Sequence, residues 1–163
     1  MSFKNILIPF DFEAASERAL DTALKIAKLV PDSNITVLHV LREIAVPATV
    51  EAFGGRIYSF KTGEKVTGSV YAKEIYHEMR SEVLKKLEKK KQKCEKDGIS
   101  CQIVVINGDP REQILKYIQQ QKIKIDLIVM GTAKRKGISK IIALGSIARN
   151  ISENASCPVM LVH

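Results

Sequence analysis

At 163 residues the chain has room for one domain with a proper core and too little for two. Hydrophobic residues at 45% and charged residues at 27% are the balance of an ordinary globule, and no apolar run reaches the roughly 20 residues of a membrane span. The net charge of +8 comes largely from two stretches, 85–96 and 134–140, with no interleaved aromatics and no nucleic-acid signature, which argues against a nucleic-acid partner and for a solvated helix face in the first stretch.

Residues 5–10 read as the first strand, apolar in succession from Ile6 as a strand buried on both faces requires, and the run stops at Asp11. The short apolar start, soon interrupted by Asp11 and Glu13, does not make a signal peptide, so a cytoplasmic protein is expected. Over residues 14–30, Ala19, Leu20, Ala23, Leu24, Ala27 and Val30 share one helical face. Pro31 breaks that helix, and residues 34–40 form a second strand. Residues 41–69 hold four glycines and no sustained period, which predicts an irregular insertion in a single domain covering 1–163. A helix follows from 70 to about 96, striped by Ile75, Met79, Val83 and Leu87; its apolar face lapses at Lys89–Lys91, so its end is expected to project into solvent.

Residues 101–106 make the third strand. Asp109, Pro110 and Glu112 then spell a helix start, with Asp as N-cap and Pro at the first position. Residues 126–130 are a fourth strand, closed by Gly131. A glycine- and lysine-rich loop leads to Gly145 and Ser146, which open a helix to about 154, and residues 158–162 close the chain as a fifth strand. Strands alternating with helices predict one doubly wound α/β domain, an open parallel sheet with helices on both faces. Ligands of such sheets sit outside the carboxyl ends of the strands, so Asp11 and Gly131 fall on the edge that matters.

Strand, glycine loop and helix start is an arrangement that offers backbone N–H groups and a positive helix end to a phosphate. The loop is neither a Walker A motif, since Lys136–Gly137 reverses the order, nor the dinucleotide fingerprint. Asp11 is open to two readings, a ligand residue or a cap for the next helix, and its place on the edge favours the first. His39 lacks a partner at ligand spacing and reads as structural; no metal site is proposed. Cys94, Cys101 and Cys157 show no paired spacing and read as reduced packing thiols. No nucleophile, base or acidic pair assembles from the sequence, which predicts a binder rather than an efficient hydrolase.

Taken together, residues 6–11, Leu38–His39–Val40, Gly108–Asp109–Pro110, Met130–Gly131, Gly145–Ser146 and Cys157–Pro158–Val159 resemble the universal stress proteins. The resemblance covers nearly the whole chain outside 41–69. It implies five parallel strands in the order 3-2-1-4-5 and a homodimer paired through strand 158–162. The ATP-binding branch of that family carries Gly-x2-Gly-x9-Gly-Ser/Thr. Here Gly131 and the Gly145–Ser146 pair match, whereas Lys134 stands where the second glycine belongs and ten residues separate it from Gly145. Gly137 and the cations Lys134, Arg135, Lys136 and Lys140 are the available substitutes. The resemblance implies that Asp11, Pro9 and Phe10 face the ribose and base of ATP, ADP or AMP, and that the Val40 backbone meets the adenine edge. Met130, Gly131, Gly145, Ser146 and Ile147 would hold ribose and phosphates, with any Mg ion carried by the phosphates alone. The alternative is a nucleotide-free dimeric scaffold of the same family, acting through protein partners.

Overall fold

The computed structural model describes residues 3–42, 57–132 and 145–163. The chain divides into two compact units, one formed by 1–42 with 87–163 and the other by 43–86.

The first unit is a five-stranded parallel sheet. Its strands are β1 (Asn5–Pro9), β2 (Asn34–Leu41), β5 (Ser100–Asn107), β6 (Leu127–Gly131) and β7 (Val159–Val162), ordered β5-β2-β1-β6-β7. In chain order that is third, second, first, fourth, fifth, as the resemblance implies. Parallel pairing forces a crossover after each strand. The crossover helices that lie wholly in this unit are α1 (Ala14–Ala27), α3 (Pro110–Gln120) and α4 (Ser146–Asn154). Asn5 pairs with Asn34, which pairs with Ser100, so the first three sheet strands start level. Strand order reverses between β1 and β6, where Ile6 lies beside Leu127.

Both sheet faces are buried, which is why the strands read as unbroken apolar runs. One face carries Leu7, Leu38, Ile128 and Met130 against Ile114, Ile118, Ala148 and Ile151 of α3 and α4. The buried stripe of α1 is Ala19, Leu20, Ala23, Leu24 and Ala27. That helix stops at Ala27, a turn short of the periodic pattern, because Val30 precedes a proline and is steered away from helical backbone. Leu29, beyond the end, is 83% exposed.

The second unit holds a hairpin of β3 (Ile57–Tyr58) and β4 (Lys65–Val66), and the first part of α2 (Gly68–Lys96). These strands have two residues each and cannot show a period, so the sequence reads there as irregular. Ser59 organises the turn: its Oγ accepts from the N–H groups of Lys61 and Thr62 and donates to Glu74 Oε1 at 2.7 Å.

One expectation is reversed. The carboxyl end of α2 does not project into solvent. Leu87 and Cys94 are fully buried, and the lysines between them reach α1, Lys90 to Glu17 at 2.6 Å and Lys93 to Asp21. The lysine-rich run is therefore not simply a solvated face. Long lysine stems let a charged head pair with the acidic side of α1 while their own helix stays against the core.

Candidate functional site

Several of the residues singled out along the chain lie at the carboxyl ends of β1, β2 and β6 or at the start of α4. Pro9 ends β1, Val40 lies near the end of β2, and Met130 and Gly131 end β6. Gly145 is the N-cap of α4 and Ser146 its first residue. Met130 belongs to the apolar cluster beneath α3 and α4, and Val40 and Ile147 pack against the same cluster. Lys134 and Gly137 lie outside the described residues.

Phe10 goes elsewhere. Strand alternation turns its ring away from that cluster, where it is 3% exposed. It meets Phe12 edge-to-face at 5.2 Å, and Lys90 Nζ stands 5.9 Å from its centroid. Phe12 in turn packs on His39 at 5.0 Å. A ligand on the α4 side would therefore meet backbone at Phe10, not the ring. His39 Nδ1 lies 2.7 Å from the Phe10 carbonyl, and since a carbonyl only accepts, Nδ1 carries the proton. That bond and the Phe10 N–H donated to Leu38 O fix the exit of β1.

The exit is sharp. Phe12 has φ 68°, a left-handed conformation that costs a bulky residue roughly 1–2 kcal/mol. The aromatic contacts with Phe10 and His39 hold it there. The turn brings the Glu13 N–H to Asp11 Oδ1 at 3.0 Å. Asp11 thus bonds the residue that caps α1 while its side chain stays exposed on the edge.

The glycines bracketing the loop differ. A Cβ on Gly131 would lie 2.2 Å from the carbonyl carbon of Ala15 and 2.6 Å from the Ser16 nitrogen, so the first turn of α1 sits directly on the strand end. Gly145 has φ −55° and ψ 148°, a conformation open to any residue, and no described atom lies within 4 Å of where its Cβ would be. The helix it begins has no side-chain cap and no acidic residue in its first turn. The N–H groups of Ser146, Ile147 and Ala148 are those that a helix start leaves without helical partners. α3 is different: Asp109 accepts from the Arg111 N–H at 2.9 Å and from its guanidinium, which holds the carboxyl below its ordinary value.

Two residues absent from the sequence reading help to build this edge. Thr132, directly after Gly131, is buried; its N–H donates to Val162 O and its Oγ1 lies 2.7 Å from His163 Nδ1. Arg18 Nε donates to the His163 carbonyl at 2.9 Å. No sequence pattern links these positions, because the contact depends on the register of β6 with β7 (Gly131 beside Val162). Cys157 packs against the apolar cluster, and burial pushes its thiol up, as inert packing requires. Among the described residues no group of three His, Cys, Asp or Glu could hold a metal ion, and no helix is long and apolar enough to cross a membrane.

The sequence model of the Universal stress protein family matches residues 2–163. Universal stress protein YxiE of Bacillus subtilis is 30% identical over 165 residues, covering 98% of this chain and 99% of its own. The solved structure of MJ0577, a universal stress protein of Methanocaldococcus jannaschii, superposes with a TM-score of 0.73 at 23% identity, over 99% of this chain and 96% of that one. A universal stress protein family protein from Arabidopsis thaliana, solved with AMP bound, gives 0.57 at 19% identity, over 98% and 90%. The sheet order, the glycines at the switch point and the match along nearly its full length agree: the chain belongs to the universal stress protein family.

Proposed function

We propose that this protein binds an adenine nucleotide, ATP foremost and ADP or AMP by the same contacts, at the carboxyl edge between β1 and β6. The observation that carries the proposal is the start of α4. Among the described residues its N–H groups have no side-chain cap, and Gly145 is a glycine that no described part of the protein requires. A phosphate accounts for both features, since it accepts from those N–H groups, favours the positive helix end and needs the space a Cβ would take. Ser146 adds a hydroxyl, and Lys134, Arg135, Lys136 and Lys140 add charge. Met130, Gly131 and Ile147 line the ribose side, and the backbone near Val40 and Pro9 meets the base, with Asp11 toward the ribose. The AMP-bound Arabidopsis relative supports adenine as the base.

The described edge assembles no nucleophile–base pair, and the protein is proposed as a binder that releases its nucleotide unchanged, with any Mg ion held by the phosphates. It would act in the cytoplasm as one nucleotide-binding domain over residues 1–163, with 41–69 as its insertion. Isothermal titration with ATP, ADP and adenosine is the test. Micromolar binding of ATP is expected; no heat and no thermal shift at millimolar ligand would sink the proposal.

A second reading rests on β7. It is an edge strand of the sheet, with Met160 37% exposed, and an unpaired apolar edge is a template for another chain. We infer a homodimer joined antiparallel through 158–162, which serves a nucleotide-free scaffold equally well. Sedimentation as a monomer at micromolar concentration would overturn the dimer. Nucleotide released from the purified protein on denaturation separates the two functional readings.

A further inference from the structure

The sheet face that α3 and α4 cover is not apolar from end to end. Alternation puts Val40 and Leu38 of β2, and Ile106 and Val104 of β5, against the α3/α4 cluster. Carried back towards the amino ends, the same alternation brings Thr36 and Asn34 to that face from β2, and Gln102 and Ser100 from β5. Register sets them side by side: Asn5, Asn34 and Ser100 form one row across three strands, and Thr36 lies beside Gln102 in the neighbouring row. The cause is a mismatch of lengths. β2 and β5 have 8 residues each, roughly 26 Å of strand, whereas the 11 residues of α3 span roughly 16 Å.

Where the helix runs out, these strand ends and the close of α3 enclose a groove of about 420 Å³, within the range of small-molecule sites. Tyr117, Gln120 and Gln121 line it from the helix end, and Ile125 from the segment leading to β6. Its chemistry is that of amides and hydroxyls, with one ammonium, Lys122, and no carboxylate among the described lining residues. The amide nitrogens of Asn5 and Asn34 are already engaged, with Asp126 Oδ2 at 3.2 Å and Asp32 O at 3.4 Å, which leaves their Oδ1 atoms as acceptors. The ends of α1 and α4 are closed by an N–H donated back to the last turn. Gln121, extended at φ −72° and ψ 132°, gives α3 no such bond among the described residues, so carbonyls of its last turn are further acceptors.

We propose that this groove binds a neutral sugar. A cation would find no carboxylate to pair with, and a single lysine is too little for a polyanion. The surplus of acceptors calls for a ligand rich in hydroxyl donors, and the amides of Gln102 and Gln120 can both give and accept. The half-buried ring of Tyr117 and the buried Ile125 add apolar surface for the C–H face of a pyranose, which an open-chain polyol does not present. None of these residues belongs to the carboxyl edge at which the nucleotide is proposed.

The test titrates the full-length, isotope-labelled protein with maltose and glucose and follows the backbone amides by NMR, with sorbitol and inorganic phosphate as controls. Saturable shifts are expected at millimolar sugar, confined to residues 34–36, 100–102 and 117–125 and absent at 131 and 145–147. Sorbitol should bind more weakly than either sugar, and phosphate should leave these signals unmoved. Gln102→Ala and Gln120→Ala alter exposed side chains, so each should melt as the wild type does. Each should weaken maltose about fivefold, as the loss of one neutral hydrogen bond requires. Shifts that do not saturate, or that fall elsewhere, would overturn the proposal. So would equal binding of sorbitol, the same shifts with phosphate, or unchanged maltose affinity in both variants. Each outcome can be read whether or not the protein binds nucleotide.

Discussion

Gly131 and Gly145 bracket the same loop and occupy matching places in the family's glycine pattern, yet the fold treats them in opposite ways. Gly131 is pressed against the backbone of Ala15 and Ser16, so its missing side chain is needed for α1 to seat on the sheet. Gly145 has no described atom within 4 Å of where its Cβ would be and a conformation that alanine or serine would adopt without strain. A glycine pattern can thus mix two causes, the close approach of a helix within the chain and the close approach of something from outside it. Only the second kind is by itself a sign of a ligand, and only the surroundings of each glycine tell them apart.

The largest effect should come from Gly131→Ala. The added methyl meets main chain, which cannot swing aside as a side chain can. Overpacking of this kind costs about 3 kcal/mol, near the top of the usual range. For a chain of this size that is a fall in Tm of roughly 6–12 °C. A thermal melt showing no loss would mean that α1 can shift outward freely. Next, replacing Lys134, Arg135 and Lys136 together by serine should leave Tm nearly unchanged and weaken ATP by about a hundredfold, since each charge-assisted phosphate bond is worth roughly 1.5–3 kcal/mol. Adenosine should bind as before, and added salt should narrow the gap between the two ligands. Equal loss for both would place those charges in solvent.

Gly145→Asp gives α4 the kind of cap that Asp109 gives α3, and should produce effects of opposite sign. Stability, and with it Tm, rises slightly, by about the few tenths of a kcal/mol in free energy that separate a glycine N-cap from an acidic one. ATP affinity falls about tenfold or more, because the carboxylate takes the N–H groups and repels the phosphates. If both Tm and affinity rise, the helix start is not where the phosphates lie.

Much of this architecture was legible because the central strands β1 and β6 are buried along their length and helix bounds carry residues with one strong preference, such as Asp109–Pro110 or Pro31. The strand order and the shared edge of Asp11 and Gly131 follow from alternation together with the resemblance. What sequence could not supply lies in contacts between distant elements. Phe10 reads as a neighbour of the base, but alternation along β1 sends its ring to Phe12 and Lys90. The lysine run near 90 reads as solvated, but Glu17 and Asp21 are in place to receive it.

The smallest effect concerns the capped helix, and its sign can be worked out. The Arg111 hydrogen bonds, aided by backbone N–H groups, hold the Asp109 carboxyl below its ordinary value near 3.8, so the folded state favours the ionised form. A carboxylate with a depressed value contributes stability that is fully present above the unfolded value and drains away as pH falls through the folded one. Asp109→Asn keeps an oxygen that can accept from the Arg111 N–H but removes the charge that attracts the guanidinium and suits the helix dipole. The variant should therefore melt slightly below the wild type at pH 7, with the two curves drawing together as pH drops below about 4. The side chain is exposed and the pair is screened by water, so the difference should be modest and should shrink with salt. A gap that persists unchanged at pH 3 would mean that Asp109 acts through the shape of its cap and not through its charge. By contrast, the start of α4 has no carboxylate in its first turn, and any pH dependence there should appear only when a phosphate is bound.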